Sequence, residues 1–583
     1  MKPKIGIRPI IDGRMGIRET LEDKTMRMSL AVKSLIESNV HYLDGTVAEC
    51  VICDSSIGGV AEAALCEKQF KKSHVVATIS VTPCWAYGTE TMDLNPQTIK
   101  AIWGFNGTER PGAVYLAAAM SAHTQRGLPA YAIYGRDVQD IDDDSIPDDV
   151  KERLLAFTNS ALAVGQMQGK SYVSIGGVSM GIMGSFVDPL FFQKYLGMRV
   201  EWLDMSEVNR RISLNIFDHK AYQRAMSWID NKFTIGFDKN EKPHTLERKR
   251  YDWEISVKLY LIIKDIMLGN PLLKNIGWSE EAMGKNAIAG GFQGQRAWSD
   301  YMPNCDFAES ILNTTFDWDG KKPPLTFATE NDSLNAVSML FANLLTQRAS
   351  VFADVRTYWS PESIKRVTGW ETNGLSENGF IHMINSGSAA LDGAGECKFD
   401  HQSVMKQWWD ISDADIAATL SHVDWCPADL MYFRGGGYSS HFKTNTEMPM
   451  TMIRVNLVDG KGPVIQIIEG HSVVVPNHVM DIIEKRTDPT WPTTFFAPRL
   501  NKASFPSDVY TIMAKWGSNH CALAYGHIGQ TLITFASMLR IPVSMHNVDM
   551  SKVFRPHAFS SFGTQNDEQA DFAACHHYGP LYK

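Results

Sequence analysis

Up to about residue 165, short apolar runs alternate with stretches whose apolar residues recur every three or four positions. Lys4–Ile11 reads as a strand, and Glu19–Glu37 as a helix with Leu21, Met28, Val32, Leu35 and Ile36 on one face. Further strands are predicted at Glu49–Cys53, Val75–Val81, Ala101–Phe105 and Ala130–Tyr134, with helices at Gly59–Lys71 and Ala113–Arg126. Such a βαβα rhythm predicts a parallel, doubly wound sheet. A second unit starts near Lys170 with strand Ser171–Ile175 and the turn GGVSMG. Helices are predicted over Tyr222–Lys232, Tyr251–Leu268 and Ser279–Ile288, an exposed loop over Phe237–Arg250, and a closing strand at Leu325–Thr329. Past Ser350 the helical period fades, and β-like runs stand between Gly and Pro at Val351–Val355, Phe380–Ile384, Met450–Val455, Val464–Ile468 and Ser472–Val475. The predicted fold class is α/β: two doubly wound parallel-sheet domains, residues 1–168 and 169–348, then a β-rich, barrel-like domain, residues 349–583.

Length and composition narrow the function. A chain of 583 residues exceeds what one core can fill, which is about 250–300 residues. With 44% hydrophobic and 21% charged residues it has an ordinary globular composition, and its net charge of −9 offers no basic face for nucleic acid or anionic membrane. No apolar run approaches the ~18–20 residues of a membrane span, and MKPKIGIRPIIDGR carries charges where a secretion signal needs an apolar stretch. The expectation is a cytoplasmic enzyme. The nine scattered cysteines read as reduced thiols. Cys50 and Cys53 form a CxxC on a predicted strand, where odd spacing points the two thiols to opposite faces, and no second pair completes a zinc site.

The richest local pattern is LTFATENDS, a helical stretch over Ser333–Leu345, then VFADVRTYWS, with Asp332 or Ser333 as the helix N-cap. Read as strand, crossover helix and strand, it predicts two neighbouring parallel strands with Glu330 and Asp354 near their carboxyl ends, where α/β sheets place ligands. Two close carboxylates repel unless a proton or cation lies between them, and a divalent metal suits that role. The competing reading has one of them cap a helix or pair with Arg356. A third ligand would be an imidazole or another carboxylate, and WGSNHCALAYGHIGQ offers both His520 and His527. Carboxylates with one imidazole favour Mn²⁺ or Mg²⁺ over a thiolate-seeking ion. GVSMG places Ser179 in a GxSxG pattern after a strand, the arrangement of a hydrolase nucleophile, but no Asp/Glu…His pair accompanies it, and a tight strand-to-helix turn is the stronger reading. The acidic run Asp140–Asp149 lacks the Gly and Glu of a calcium loop and reads instead as negative charge before a helix starting near Pro147. PCWAYG, GFQGQR, NSGSAA, YFRGGGYSS and TWPTTFFAPR combine aromatic faces with hydrogen-bonding groups, as polyol sites do.

At these segments the chain resembles the L-fucose isomerase family almost from end to end. IGIRPIIDGRMGIRE, AIWGFNGTERPGAVYLAAA, GKSYVSIGGVSMGI, FATENDSLN, VFADVRTYWSPE, INSGSAALDG, ASMLRIPVSMHNV and YGPLYK all look like that family, in order. The resemblance implies an aldose–ketose isomerase acting on L-fucose and D-arabinose through an enediol, with a catalytic Mn²⁺ for which Mg²⁺ or Co²⁺ could substitute. It implies a homohexamer in which the first domain makes subunit contacts. It also implies metal ligands at Glu330, Asp354 and His527, selecting His527 over His520, with the two carboxylates as the acid/base pair. Sugar contacts are implied at Arg14, Gln293, Ser386, Tyr438 and Asn519, and at Trp85 from a neighbouring subunit. Phe495 stands where some members carry a second Trp. The alternatives are a serine hydrolase using Ser179 and a non-catalytic carbohydrate-binding protein on the same scaffold.

Overall fold

The computed structural model describes residues 2–386, 388–395, 405–563 and 567–582. Strands Cys50–Ile52, Lys4–Pro9, Val75–Thr82, Ile99–Gly104 and Ala130–Ile133 lie side by side in that order, every pair parallel. Their continuous apolar runs suit a sheet covered on both faces: all six residues of Ile99–Gly104 are buried. Helices Glu22–Asn39, Val60–Lys72, Gly112–Gln125 and Asp148–Met167 alternate with these strands or follow the last of them. The last of these follows Pro147 with Asp148 and Asp149 in its first turn. The preceding acidic run is used locally, Asp144 pairing with Arg27 at 2.6 Å. Cys50 and Cys53 fall in different apolar clusters, as opposite strand faces require. The eight described cysteines are all free and buried, and Cys397 lies outside the described residues.

The second sheet runs Arg199–Leu203, Ser171–Ile175, Ala287–Phe292, Thr326–Ala328, again wholly parallel. Two expectations fail here. Ser279–Ile288 is not a helix. Positive φ at Gly284 and Asn286 turns the chain, and Ala287 opens a strand. That strand escapes its hydrophobic pattern because Gly290 and Gly291 occupy it. A side chain at Gly291 would stand 2.5 Å from the Tyr172 hydroxyl, so the packing there excludes one. The segment Phe237–Arg250 is also not all loop. Helix Leu246–Leu268 begins within it, because the Thr245 hydroxyl accepts from the Arg248 N–H at 3.2 Å and caps a polar first turn.

The third region is a closed barrel of six antiparallel strands. Its ring runs Pro449–Val458, His520–Tyr525, Ser350–Trp359, Phe380–Ile384, Thr493–Pro498 and Gly462–Ser472, which pairs back to the first. Closure leaves no unpaired edge within the ring. Val543–His546 attaches parallel to Gly462–Ser472 from outside. The runs at Val464 and Ser472 are not two strands, since one strand covers Gly462–Ser472.

The crossover expected around Glu330 is overturned. Thr326–Ala328 belongs to the second parallel sheet, whereas Ser350–Trp359 lies in the barrel and pairs antiparallel on both sides. The connecting helix Ser333–Thr346 explains why: all of its residues are buried. A helix covering one sheet would bury a single stripe. This one packs against the strands of both sheets and forms a layer shared between them. The first domain is held to the barrel side by the Tyr131 hydroxyl, which meets Ser537 Oγ at 2.6 Å and Thr534 O at 3.1 Å. Among the described residues no helix is long and apolar enough to cross a membrane.

Candidate active site

Three loops leave the carboxyl ends of adjacent strands in the second sheet and tie to one another. Gly177 N–H donates to Gln293 Oε1 at 2.7 Å, and Gln293 Nε2 donates to Val178 O at 3.2 Å. Asn331 Nδ2 donates to Ser174 Oγ at 2.9 Å, while the Tyr172 hydroxyl donates to Asn331 Oδ1 at 2.8 Å. Asn331 therefore pins the turn that carries Glu330. Glu330 itself sits at φ 55°, ψ 21°, and Asn331 at φ 51°. Consecutive left-handed residues without glycine cost on the order of 1–3 kcal/mol each and persist where the surroundings enforce them, commonly at functional sites. Ser185 Oγ donates to the Glu330 carbonyl at 2.7 Å and completes the clamp.

The barrel brings the other half. Asp354 and His520 are direct partners across an antiparallel pair, so their side chains share a face about 4.5–5.5 Å apart at Cβ. His520 Nε2 lies 3.2 Å from Asp354 Oδ1 and 3.3 Å from Glu330 Oε2. Asn519 Nδ2 stands 3.0 Å from the same nitrogen. On its far side, His520 Nδ1 is 2.7 Å from Asp332 Oδ2, an oxygen that also accepts from Arg454 Nη1 at 2.8 Å. Side-chain exposure rises from 0% at Asp332 and 1% at His520 to 16% at Glu330 and 36% at Asp354, so the cluster opens to solvent at its carboxylates. Burial works against a charged imidazole, yet hydrogen bonds to Asp332, Asp354 and Glu330 outweigh it and raise the His520 pKa well above the ordinary value. Burial opposes charge at Asp332 too, but Arg454 and His520 overcome it and hold that carboxyl well below the usual range.

The expected ligand set needs one correction. His527 is not with the carboxylates. From His520 the strand runs to Tyr525, a rise of about 17 Å at ~3.3 Å per residue, before the chain turns at Gly526. His527 lies beyond that turn, exposed, with Nε2 at 2.8 Å from Gly470 O and its ring edge-on to His471. The imidazole beside Glu330 and Asp354 is that of His520. Neither carboxylate pairs with Arg356, whose guanidinium lies over the Trp491 ring at 5.8 Å.

The predicted sugar contacts divide. Asn519 borders the cluster through its contact with His520 Nε2, and Gln293 holds the Gly177–Val178 loop, whose Gly177 carbonyl accepts from Asn331 Nδ2 at 3.4 Å beside Glu330. Ser386 follows Ile384, the barrel partner of Asp354, and so exits at the same end; its N–H is held by Asn385 Oδ1. Tyr438 instead is buried, its ring stacked on Trp253 at 3.9 Å. Phe495 is buried on a barrel strand against the rings of Phe380 and His382. Arg14 and Trp85 lie on loops that follow adjacent strands of the first sheet, Arg14 forked onto Asp12 at 2.6–3.2 Å and Trp85 packed on that domain's apolar cluster. Ser179 is buried, and its hydroxyl donates to Gln295 O at 2.6 Å. The chain leaves it through Gly181 at φ 74° into a short 3-10 turn, so GVSMG is a structural turn rather than a nucleophile elbow. Sequence reasoning missed the partner roles of Asp332 and Arg454; the N-cap position of Asp332 was its only visible signal.

In kind, two carboxylates and an imidazole are the donors a divalent cation takes. Two donors bound side by side to one ion at about 2.1 Å stand about 3 Å apart, close to the 3.2 and 3.3 Å seen around Nε2. The carboxylate behind Nδ1 is the outer partner that metal-bound imidazoles usually have. Among the described residues no group of three or more His, Cys, Asp or Glu side chains is arranged to hold a metal ion. This cluster is instead a set of donors converging on one nitrogen, closed by a proton when no ion is bound.

Behind Glu330 lies Glu309, fully buried, accepting from Thr329 Oγ1 at 2.8 Å. Burial foremost, together with the nearby Glu330 charge, pushes its pKa up from 4.5 to about 8. A carboxyl raised in the folded state destabilises the fold as pH climbs from the unfolded value through the folded one. Here that window runs from 4.5 to about 8, and the loss accrues at up to about 1.4 kcal/mol per pH unit. Glu309→Gln removes this penalty and keeps the acceptor. Melting metal-free protein at pH 5 and pH 8.5 is expected to show the variant gaining a few degrees over wild type only at the higher pH. An equal offset at both pH values would contradict the assignment.

Family models agree along most of the chain. The model described as the first N-terminal domain of L-fucose isomerase matches residues 2–169, the second N-terminal domain residues 170–347, and the C-terminal domain residues 383–546. An L-fucose isomerase of Vibrio vulnificus is 56% identical over 582 residues, covering 100% of this chain and 99% of the relative. Those of Clostridium perfringens and Bacteroides thetaiotaomicron are each 55% identical with the same coverage.

Proposed function

Because the chain belongs to the L-fucose isomerase family, we propose that it is a metal-dependent aldose–ketose isomerase converting L-fucose to L-fuculose and D-arabinose to D-ribulose. The observation that carries the metal-dependent part is the convergence of Glu330, Asp354 and Asn519 on His520 Nε2, with Asp332 behind the ring. Glu330, Asp354 and His520 would hold the ion, Mn²⁺ by preference with Mg²⁺ or Co²⁺ as substitutes. When bound, it supplies Lewis-acid polarisation of the sugar's carbonyl.

The protein's own groups carry the proton. One of the two carboxylates takes the C2 proton of the aldose as the C1 oxygen gains a proton, which gives an enediol. The O2 proton then leaves and C1 is protonated, which gives the ketose. Glu330 suits this work because its backbone is clamped and its side chain is still 16% exposed, within reach of a substrate. Asn519, Gln293 and Ser386 line the rim as hydrogen-bonding groups for sugar hydroxyls. In the same reading the enzyme is cytoplasmic and a homohexamer, and the Trp85 loop completes a neighbouring subunit's site.

Isomerising C2-deuterated L-fucose tests the reaction path. Proton transfer through a carboxylate is expected to exchange much of the label with solvent before it reaches C1 of L-fuculose. Full retention of deuterium at C1 would instead mean a hydride shift and would remove the acid/base role from Glu330 and Asp354.

A further inference from the structure

We propose that Asp332 and Arg454 are a positioning pair that locks His520 in the tautomer carrying its proton on Nδ1, which leaves the Nε2 lone pair directed at the cation site. This rests on the metal-dependent reading above and adds to it the groups that make the imidazole a ligand.

Both carboxylate oxygens of Asp332 are engaged. Oδ1 accepts from the Asn335 N–H at 3.0 Å and so caps the buried helix Ser333–Thr346. Oδ2 accepts from Arg454 Nη1 at 2.8 Å and faces His520 Nδ1 at 2.7 Å. A carboxylate oxygen has no proton to give to Nδ1, so the proton on that contact belongs to the ring. A neutral imidazole with its proton on Nδ1 bears the lone pair on Nε2, the atom that faces Glu330, Asp354 and the Asn519 amide.

The surroundings hold this arrangement. Arg454 is 3% exposed at its side chain, lies on barrel strand Pro449–Val458, and steadies its Nε on Asn456 Oδ1 at 3.2 Å. A buried arginine carries a permanent charge, so it keeps its partner an ionised acceptor. Gly184 makes room on the other side: a Cβ there would fall 2.0 Å from Asp332 Oδ1. The helix cap, the second-domain loop and the barrel therefore meet at one carboxylate, and that carboxylate fixes which ring nitrogen is free.

Asp332→Asn tests the pairing because it preserves shape. The amide oxygen still caps Asn335, which leaves the NH₂ facing Nδ1. The ring must then accept at Nδ1 and carry its proton on Nε2, where it blocks coordination. Because the single change also strands the Arg454 charge, it is paired with Asp332→Asn/Arg454→Met, which is neutral at both positions. Mn²⁺ is titrated calorimetrically into the EDTA-stripped full chain of wild type and both variants, and the apo melting temperature of each is recorded. The expected result is Mn²⁺ affinity about 10- to 100-fold weaker in both variants, with the melting temperature depressed in the single variant and recovered in the double one. Recovery of Mn²⁺ affinity along with stability in the double variant would overturn the positioning role and leave Asp332 a structural residue. Absence of Mn²⁺ binding by wild type would overturn the metal reading itself, a result separable from the first.

Discussion

His520→Gln is expected to lower kcat/KM for L-fucose by about 10³-fold or more, whereas His527→Gln changes it by less than about threefold. The magnitude follows from what His520 holds. Lewis-acid stabilisation of a developing negative charge is worth several kcal/mol, and each ~1.4 kcal/mol is a factor of ten. The imidazole is buried, is bonded on both nitrogens and rests on the Phe352 ring at 4.7 Å, so no neighbour can take its place. The substitution leaves the Asp332–Arg454 pair intact, and the fold should survive it. His527 is exposed beyond the opposite end of its strand, where its ring nitrogen meets a backbone carbonyl and its ring lies edge-on to His471. Steady-state rates of both variants at saturating Mn²⁺ check the contrast. A severe loss in the His527 variant alone would restore the ligand set expected from the sequence.

Glu330→Gln should cost about 10²- to 10⁴-fold in kcat even where added Mn²⁺ restores binding. The amide keeps the size and reach of the side chain but cannot accept a proton from carbon. The backbone contribution is unchanged, because Ser185 Oγ and Asn331 set the turn independently of the carboxylate. Asp354→Asn should fall in the same range, since its strand pairing with His520 fixes the side chain's face whatever its terminal group. Single-turnover rates separate this from weakened binding. A variant with wild-type single-turnover rate and a raised KM alone would remove Glu330 from the chemistry.

Much of the α/β half was legible because parallel strands buried on both faces read as apolar runs, as at Val75–Thr82 and Ser171–Ile175. Ala287–Phe292 was hidden by the glycines that let Tyr172 approach it. Glu330 and Asp354 were visible as carboxylates at the ends of apolar runs, although the inferred crossover linking them was wrong. They meet because a helix buried all round couples a parallel sheet to a barrel, and nothing in a local pattern distinguishes that from a helix covering one sheet. The choice between His520 and His527 was lost for the same reason: it depends on the Asp354–His520 register between strands distant in sequence. The run NHCALAYGH did hold a clue. Once His520–Tyr525 is read as a strand, the imidazoles of His520 and His527 stand too far apart to share an ion, so only one can face the carboxylates.

Formation of ketose from L-fucose and D-arabinose, assayed before EDTA treatment, after it, and after Mn²⁺ is returned, tests the central claim most directly. The expected result is conversion of both sugars, abolished on stripping and restored by Mn²⁺, with no restoration in His520→Gln at the same metal concentration. Undiminished turnover by fully stripped protein would contradict it.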